Sequence, residues 1–255
     1  MSAVQDLQLT GTQLEQSEAQ ARAFPQRLKM LTLITVISVA IGLFLALVYA
    51  FTDEQQGEVQ RIFYIHMPSF FGAFVAFSAT VIGGVQYLRT RDVKWDTLAI
   101  AGVEVGLTLA LINLATGSIW AKPIWNTWWT WDPRLTSAAI MALTYAAYLM
   151  LRNGIENPDT RRRFASVYGI LAIVTVISTL IIIRIRPDTI HPAVIGASPQ
   201  NKDGEFEATT RVAIALVPNL IIWATLVPAT LMWYRIRLQN MVERVNRMKL
   251  ELLNE

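Results

Sequence analysis

The stretch MLTLITVISVAIGLFLALVYAF, residues 30–51, carries no charged side chain from end to end. An α-helix rises about 1.5 Å per residue, so a run of this length crosses the roughly 30 Å hydrocarbon core of a bilayer. Working outward, five more apolar runs follow at roughly 67–88, 98–118, 135–151, 164–185 and 211–234. The fourth is short and borrows length from the aromatic segment before it. The pattern predicts an all-α, polytopic transmembrane helix bundle of about six spans. Composition agrees: 53% of the chain is hydrophobic and 16% charged, against about 25% charged in soluble domains.

The chain divides into a polar tail over 1–29, a membrane domain over 30–234 and a C-terminal segment over 235–255, where charge and apolar residues alternate at helical spacing. The first apolar run is too long for the hydrophobic region of a signal peptide and reads as a retained anchor. Of the 22 Lys and Arg residues, 15 fall on the two termini and the second and fourth loops, and 7 on the other loops and their margins. The positive-inside rule then places both termini in the cytoplasm and the odd-numbered loops outside. The basic clusters are small and lie between apolar runs, so membrane lipid headgroups, not nucleic acid, are the expected counterions. There is no cysteine, which excludes disulfides, thiolate metal sites and covalent haem attachment to this chain.

The three outer loops differ in character. The first, 52–66, reads as a short amphipathic helix with Ile62, Phe63 and Ile65 among Glu54, Glu58 and Arg61. The third, 119–134, holds Trp120, Trp125, Trp128, Trp129 and Trp131, five of the eight tryptophans of the chain. The fifth, 186–210, is the longest and contains several Pro, Gly and acidic residues.

The two histidines, His66 and His191, both fall on the outer side in this topology. They read either as two interfacial side chains with no common task or as a pair meeting across the bundle to ligate a haem iron. Neither has the neighbours of a zinc motif. The tryptophans also have two readings. They form an ordinary interfacial belt, or a flat apolar platform for a planar ligand, with Trp125, Trp128 and Trp129 on one helix face at i, i+3 and i+4. Asp132 and Pro133 have the residue types of an N-cap and first helical position. Arg134 needs an anionic partner, either Asp132 or a carboxylate of the ligand such as a haem propionate. Arg61, Lys122, Arg184 and Arg186 are further candidates for that role or for headgroup anchoring. Glu104 lies inside the third span, where a carboxylate marks an ion path or a helix–helix bond; the bond is preferred, with Asn113 as similar glue. The P-loop, the GxSxG elbow and the HExxH pair are absent, which removes support for ATP hydrolysis and for hydrolytic chemistry.

The segment TGSIWAKPIWNTWWTWDPRLTS, residues 116–137, closely resembles the tryptophan-rich "WWD" signature of the haem-handling membrane proteins of cytochrome c maturation, specifically the CcmC type. RIFYIHMP, residues 61–68, looks like the family segment carrying its first haem-ligating histidine, and His191 in RPDTIHP occupies the place of the second. Asn126 stands where the signature usually has Gly, and the surroundings of His191 lack an aromatic-rich lead-in. The resemblance implies a carrier that is not an enzyme and presents haem b on the outer side of a bacterial inner membrane. Its axial ligands would be His66 and His191, its platform Trp120, Trp125, Trp128, Trp129, Trp131 and Asp132, and its propionate partners Arg134, Arg61, Lys122 and Arg184. The implied partners are a CcmE-type haem chaperone, an ABC-type CcmA/CcmB complex and a small CcmD-like subunit. Competing readings are a solute or ion transporter using Glu104, a cytochrome c synthase-type haem lyase subunit, and a purely structural assembly subunit.

Overall fold

The computed structural model describes residues 25–54, 56–186, 188–191 and 209–253. Most of the expected polar tail, the bulk of the fifth loop (192–208) and the last two residues lie outside the described residues. Among the described residues six helical segments are long and apolar enough to cross a membrane: Gln26–Tyr49, Glu58–Thr90, Val93–Trp125, Pro133–Gly154, Pro158–Ile185 and Thr210–Asn246.

Helix α1 (Gln26–Phe44) continues as a wider turn over Leu45–Tyr49. A short 3-10 turn, Glu58–Ile62, then leads directly into α2 (Phe63–Thr90). The amphipathic helix expected over 52–66 is therefore not a separate surface element: its last residues, His66 included, already belong to the second span. Helix α3 (Val93–Trp125) follows after a two-residue turn, in which Arg91 adopts a left-handed φ of 59° and Asp92 caps the new helix by accepting from Lys94 N–H at 3.0 Å. Helices α4 (Pro133–Gly154) and α5 (Pro158–Ile185) each start with Pro at the first position, behind Asp132 and Asn157 caps. These residues satisfy amide groups that a helix start leaves unpaired. Helix α6 (Thr210–Ile221) passes through another wide turn, Ile222–Leu226, into α7 (Val227–Leu253).

Helices α2 and α3 form the centre of the bundle. In lipid there is no hydrophobic gain from helix pairing, so packing density and hydrogen bonds decide which faces meet. Small residues dominate here: Ala73, Ala76 and Thr80 on α2 meet Ala99, Gly102 and Gly106 on α3. A Cβ at Gly102 would lie 2.5 Å from the Ala76 carbonyl oxygen, so the backbones approach as closely as glycine permits. Phe77 stacks on Tyr145 with ring centres 3.5 Å apart, fastening α4 to this pair. Leu33, Ile37 and Ile41 on α1 and Leu171 and Val174 on α5 are exposed, as faces turned to lipid should be. Asn219 ties α6 to α1 by donating to the Gly42 and Ala215 carbonyls at 3.0 and 2.8 Å.

Polar contacts concentrate at the end opposite His66. Arg152, in the last turn of α4, makes a bidentate pair with Asp96, in the first turn of α3, at 2.6 and 2.9 Å. Arg162 of α5 approaches the same carboxylate at 3.7 Å. One buried anion thus joins three helix ends. The expected helix–helix bond of Glu104 takes the form of an ion pair with Arg235. From Arg235 the chain of contacts continues along α7 to Gln239 at 3.1 Å and Glu243 at 2.9 Å.

Candidate functional site

At the other end, α2, α3, α4 and α5 enclose a cavity of about 510 Å³, within the roughly 300–1,000 Å³ range of small-molecule and cofactor sites. Its walls are mainly apolar, with Met67, Phe70 and Leu180 among them, and its polar side chains are few: His66, Asn113, Ser118, Arg134, Arg184 and His191.

His66 enters from the first turn of α2. Its Nδ1 is 3.0 Å from the Asn113 carbonyl oxygen and 3.3 Å from Thr116 Oγ1. The Asn113 side chain in turn donates to the His66 carbonyl at 2.7 Å. The Asn113 Nδ2 also lies 3.3 Å from Nδ1. A backbone carbonyl only accepts, so the bond to it forms in the tautomer with the proton on Nδ1, which leaves Nε2 with its lone pair. This is how metal-ligating histidines are usually oriented. Gly117 makes room for the ring: a Cβ there would lie 2.9 Å from His66 Cε1.

His191 lies across the cavity. The two imidazole centres are 6.2 Å apart with planes inclined by 35°, and His191 also meets Trp125 edge-on at 6.5 Å. Its segment is fixed by Asp132. One carboxylate oxygen caps α4 through Leu135 N–H at 2.8 Å, and the other accepts from Thr189 Oγ1 at 3.0 Å and Ile190 N–H at 3.1 Å.

The tryptophan segment departs from the helical arrangement expected. Helix α3 runs to Trp125 and stops because Asn126 adopts φ 57°, ψ 20°. Trp125, Trp128 and Trp129 therefore do not share a helix face. Asparagine tolerates the left-handed region better than other residues with a Cβ, so it sustains the turn at a position where glycine is usual. Trp120, Trp125 and Trp129 line the cavity. Trp120 donates to Gln56 Oε1 at 2.9 Å and packs edge-on against Trp125 at 4.9 Å. Trp128 and Trp131 are 58% and 77% exposed and do not line it.

The five basic candidates also separate. Arg134 lies over the Phe70 ring at 5.0 Å, and its Nη1 is buried with no hydrogen-bond partner among the described residues. Asp132 does not provide one, since its oxygens are engaged by the cap and by residues 189–190. Arg184 lines the cavity. Arg186 is turned to Asp188, with two bonds of 2.7 Å, which hold that carboxyl below its ordinary range. Arg61 pairs with Glu58 at 2.9 Å and donates to the Leu47 carbonyl, and Lys122 contacts Asn126 at 3.3 Å. Neither lines the cavity.

Asn113 was legible only as interhelical glue, and Gln56, Gly117 and Thr189 carried no separate signal. The available clue was the i, i+4 spacing of Asn113 and Gly117, which places both on one face of α3.

Residues 11–251 match the family described as "CcmC: Heme exporter protein C". The chain is 37% identical over 122 residues to Heme exporter protein C of Paracoccus denitrificans, covering 48% of this chain and 49% of the relative. It is 32% identical over 160 residues to the protein of that name from Haemophilus influenzae, with 63% and 64% covered. The Escherichia coli K12 protein of the same name is 31% identical over 153 residues, with 60% and 61% covered. The matched stretches thus span from about half to just under two thirds of these relatives. With the family match extending over nearly the whole sequence, the chain belongs to the CcmC family.

Proposed function

We propose that this protein holds haem in the outer cavity and delivers it for cytochrome c maturation. The observation that carries the reading is the spacing of the two imidazoles. A ligating nitrogen lies about 2 Å from its metal and its ring centre about 1 Å further back, so two axial imidazoles on one iron have centres roughly 6 Å apart. His66 and His191 have that separation. Trp120, Trp125 and Trp129 supply flat apolar surface for a macrocycle. Nη1 of the buried Arg134 guanidinium and the indole N–H of Trp129, both without an acceptor among the described residues, suit haem carboxylates. The iron would supply the bond to the imidazoles; the chain's own residues orient the rings, exclude water and neutralise the propionates.

In this reading the protein is a carrier for haem b, working with a CcmE-type chaperone, an ABC-type CcmA/CcmB complex and a CcmD-like subunit. The transporter alternative rests on Glu104, but that carboxylate is paired with Arg235, so the ion pair favours a structural role. Protein purified in detergent should show a Soret band, and losing Trp120 or Trp129 to Ala should reduce retained haem several-fold. Trp128→Ala and Trp131→Ala should change it little, because these rings lie outside the cavity. Absorbance per mole of protein measures both; equal losses at all four positions would favour a simple aromatic belt.

The site would face the outer side of the bacterial inner membrane, with both termini, the Arg91 turn and the Asp96–Arg152 cluster in the cytoplasm. Reporter fusions after Arg91 and after Lys202 should give opposite signals. The same signal from both would refute this orientation.

A further inference from the structure

We infer that Asp132 is a positioning residue: it latches the His191 segment to the start of α4, and opening this latch frees one side of the haem site. The second statement rests on the haem-carrier reading; the first does not. The Asp132 carboxylate is divided between two segments far apart in sequence. One oxygen belongs to the α4 cap through Leu135 N–H, and the other receives Thr189 Oγ1–H and Ile190 N–H. Thr189 is 5% exposed, and its hydroxyl accepts from His191 N–H at 3.3 Å while donating to Asp132. Two successive hydrogen bonds thus run from Asp132 to the backbone of His191.

His66 and His191 are held in different ways. His66 stands within a helix and is clamped by Asn113 on a second helix. His191 lies beyond the end of α5, on non-helical backbone. A carrier must release its cargo, and of the two imidazoles this one can withdraw without unwinding a span. Breaking the contacts at one oxygen of Asp132 loosens this hold on the segment, while the other oxygen keeps α4 capped. Release is thereby separated from the integrity of the bundle.

Two variants divide these roles. Asp132→Asn retains a good N-cap, since Asn caps about as well as Asp, but turns an amide NH2 towards the Ile190 N–H, donor against donor. Thr189→Val removes the relaying hydroxyl without altering any charge. Because the chain has no cysteine, an Ile190→Cys substitution gives a single spin-label site on a half-exposed side chain, and the Ile190 N–H is retained. In full-length, haem-free protein the label should be immobilised in the parent and visibly more mobile in both variants, with unchanged melting temperature for Asp132→Asn. In haem-loaded protein without the label, both variants should speed haem loss to apomyoglobin by about 10–100-fold, the usual effect of removing support for a metal ligand.

A label as immobile in both variants as in the parent would overturn the latch. A mobilised label with an unchanged rate of haem loss would overturn its control of the site. If no variant and no parent binds haem, the carrier reading fails, control of haem release falls with it, and the spin label still decides whether Asp132 holds the segment.

Discussion

Replacing Arg152 with Ala should destabilise the protein by about 3–5 kcal/mol, the cost of stranding one member of a buried ion pair. Its partner Asp96 has a side chain only 6% exposed, and Arg162 at 3.7 Å is too distant to take over a bidentate contact. Thermal unfolding in detergent should show the loss as a lower transition temperature. Asp96→Asn alone should cost less, since Asn still accepts one hydrogen bond. The double variant Asp96→Leu, Arg152→Met should recover much of the loss, because neither charge then remains to be desolvated. A double variant as unstable as the sum of its singles would mean that the pair contributes nothing as a pair. The Soret band should survive in all of them, since the cluster lies at the end of the bundle opposite His66.

The six spans were legible because lipid imposes a length and a composition that no other environment demands together. Hydropathy is nevertheless a poor guide to where a helix stops. The apolar run of the third span ends near 118, yet helix α3 continues to Trp125, since tryptophan and lysine are compatible with helix and lower the hydropathy without breaking it. The stop comes from a single dihedral at Asn126. That one residue decides that Trp120 and Trp125 stand on a helix and that Trp128, Trp129 and Trp131 do not. Trp125, Trp128 and Trp129 on one helix face was thus a geometry that required the helix to run four residues further, to Trp129.

At the site, residue types were more legible than partners. His66, His191, Arg134 and Trp129 were candidates by chemistry, and all four line one cavity. Arg61 and Lys122 had the same chemistry and are engaged elsewhere. The sequence sets Arg134 ahead of Arg61 by its place at the mouth of the fourth span, but what each side chain meets is decided only by folding. Arg134 is carried by α4 over the Phe70 ring, whereas Arg61 emerges from the 3-10 turn beside the end of α1. Pairings such as Asp132 with Thr189 and His66 with Asn113 join distant segments and leave no local pattern at all.

The largest effect on haem itself is expected at His66. Replacing it with Ala removes an imidazole whose Nδ1 lies 3.0 Å from the Asn113 carbonyl oxygen, the orientation in which Nε2 would be the ligating atom. If His66 and His191 share an iron, the parent spectrum should be that of six-coordinate low-spin haem, and His66→Ala should lose most of its haem or shift to a high-spin form. Added imidazole should restore the parent bands, since the vacated space and the platform of Trp120, Trp125 and Trp129 remain. Asn113→Leu should behave as a weaker copy, with haem affinity reduced by about 10–100-fold, because the Asn113 side chain no longer fixes the His66 backbone while the ligand itself is retained. Gly117→Ala tests the same geometry without touching any polar atom. Its new methyl would lie 2.9 Å from His66 Cε1, so the ring must turn away from α3 and lose the bond that orients it. Spectra and affinities for Asn113→Leu and Gly117→Ala equal to those of the parent would remove the Asn113 clamp from the site. An unchanged spectrum in His66→Ala would remove His66 as an iron ligand.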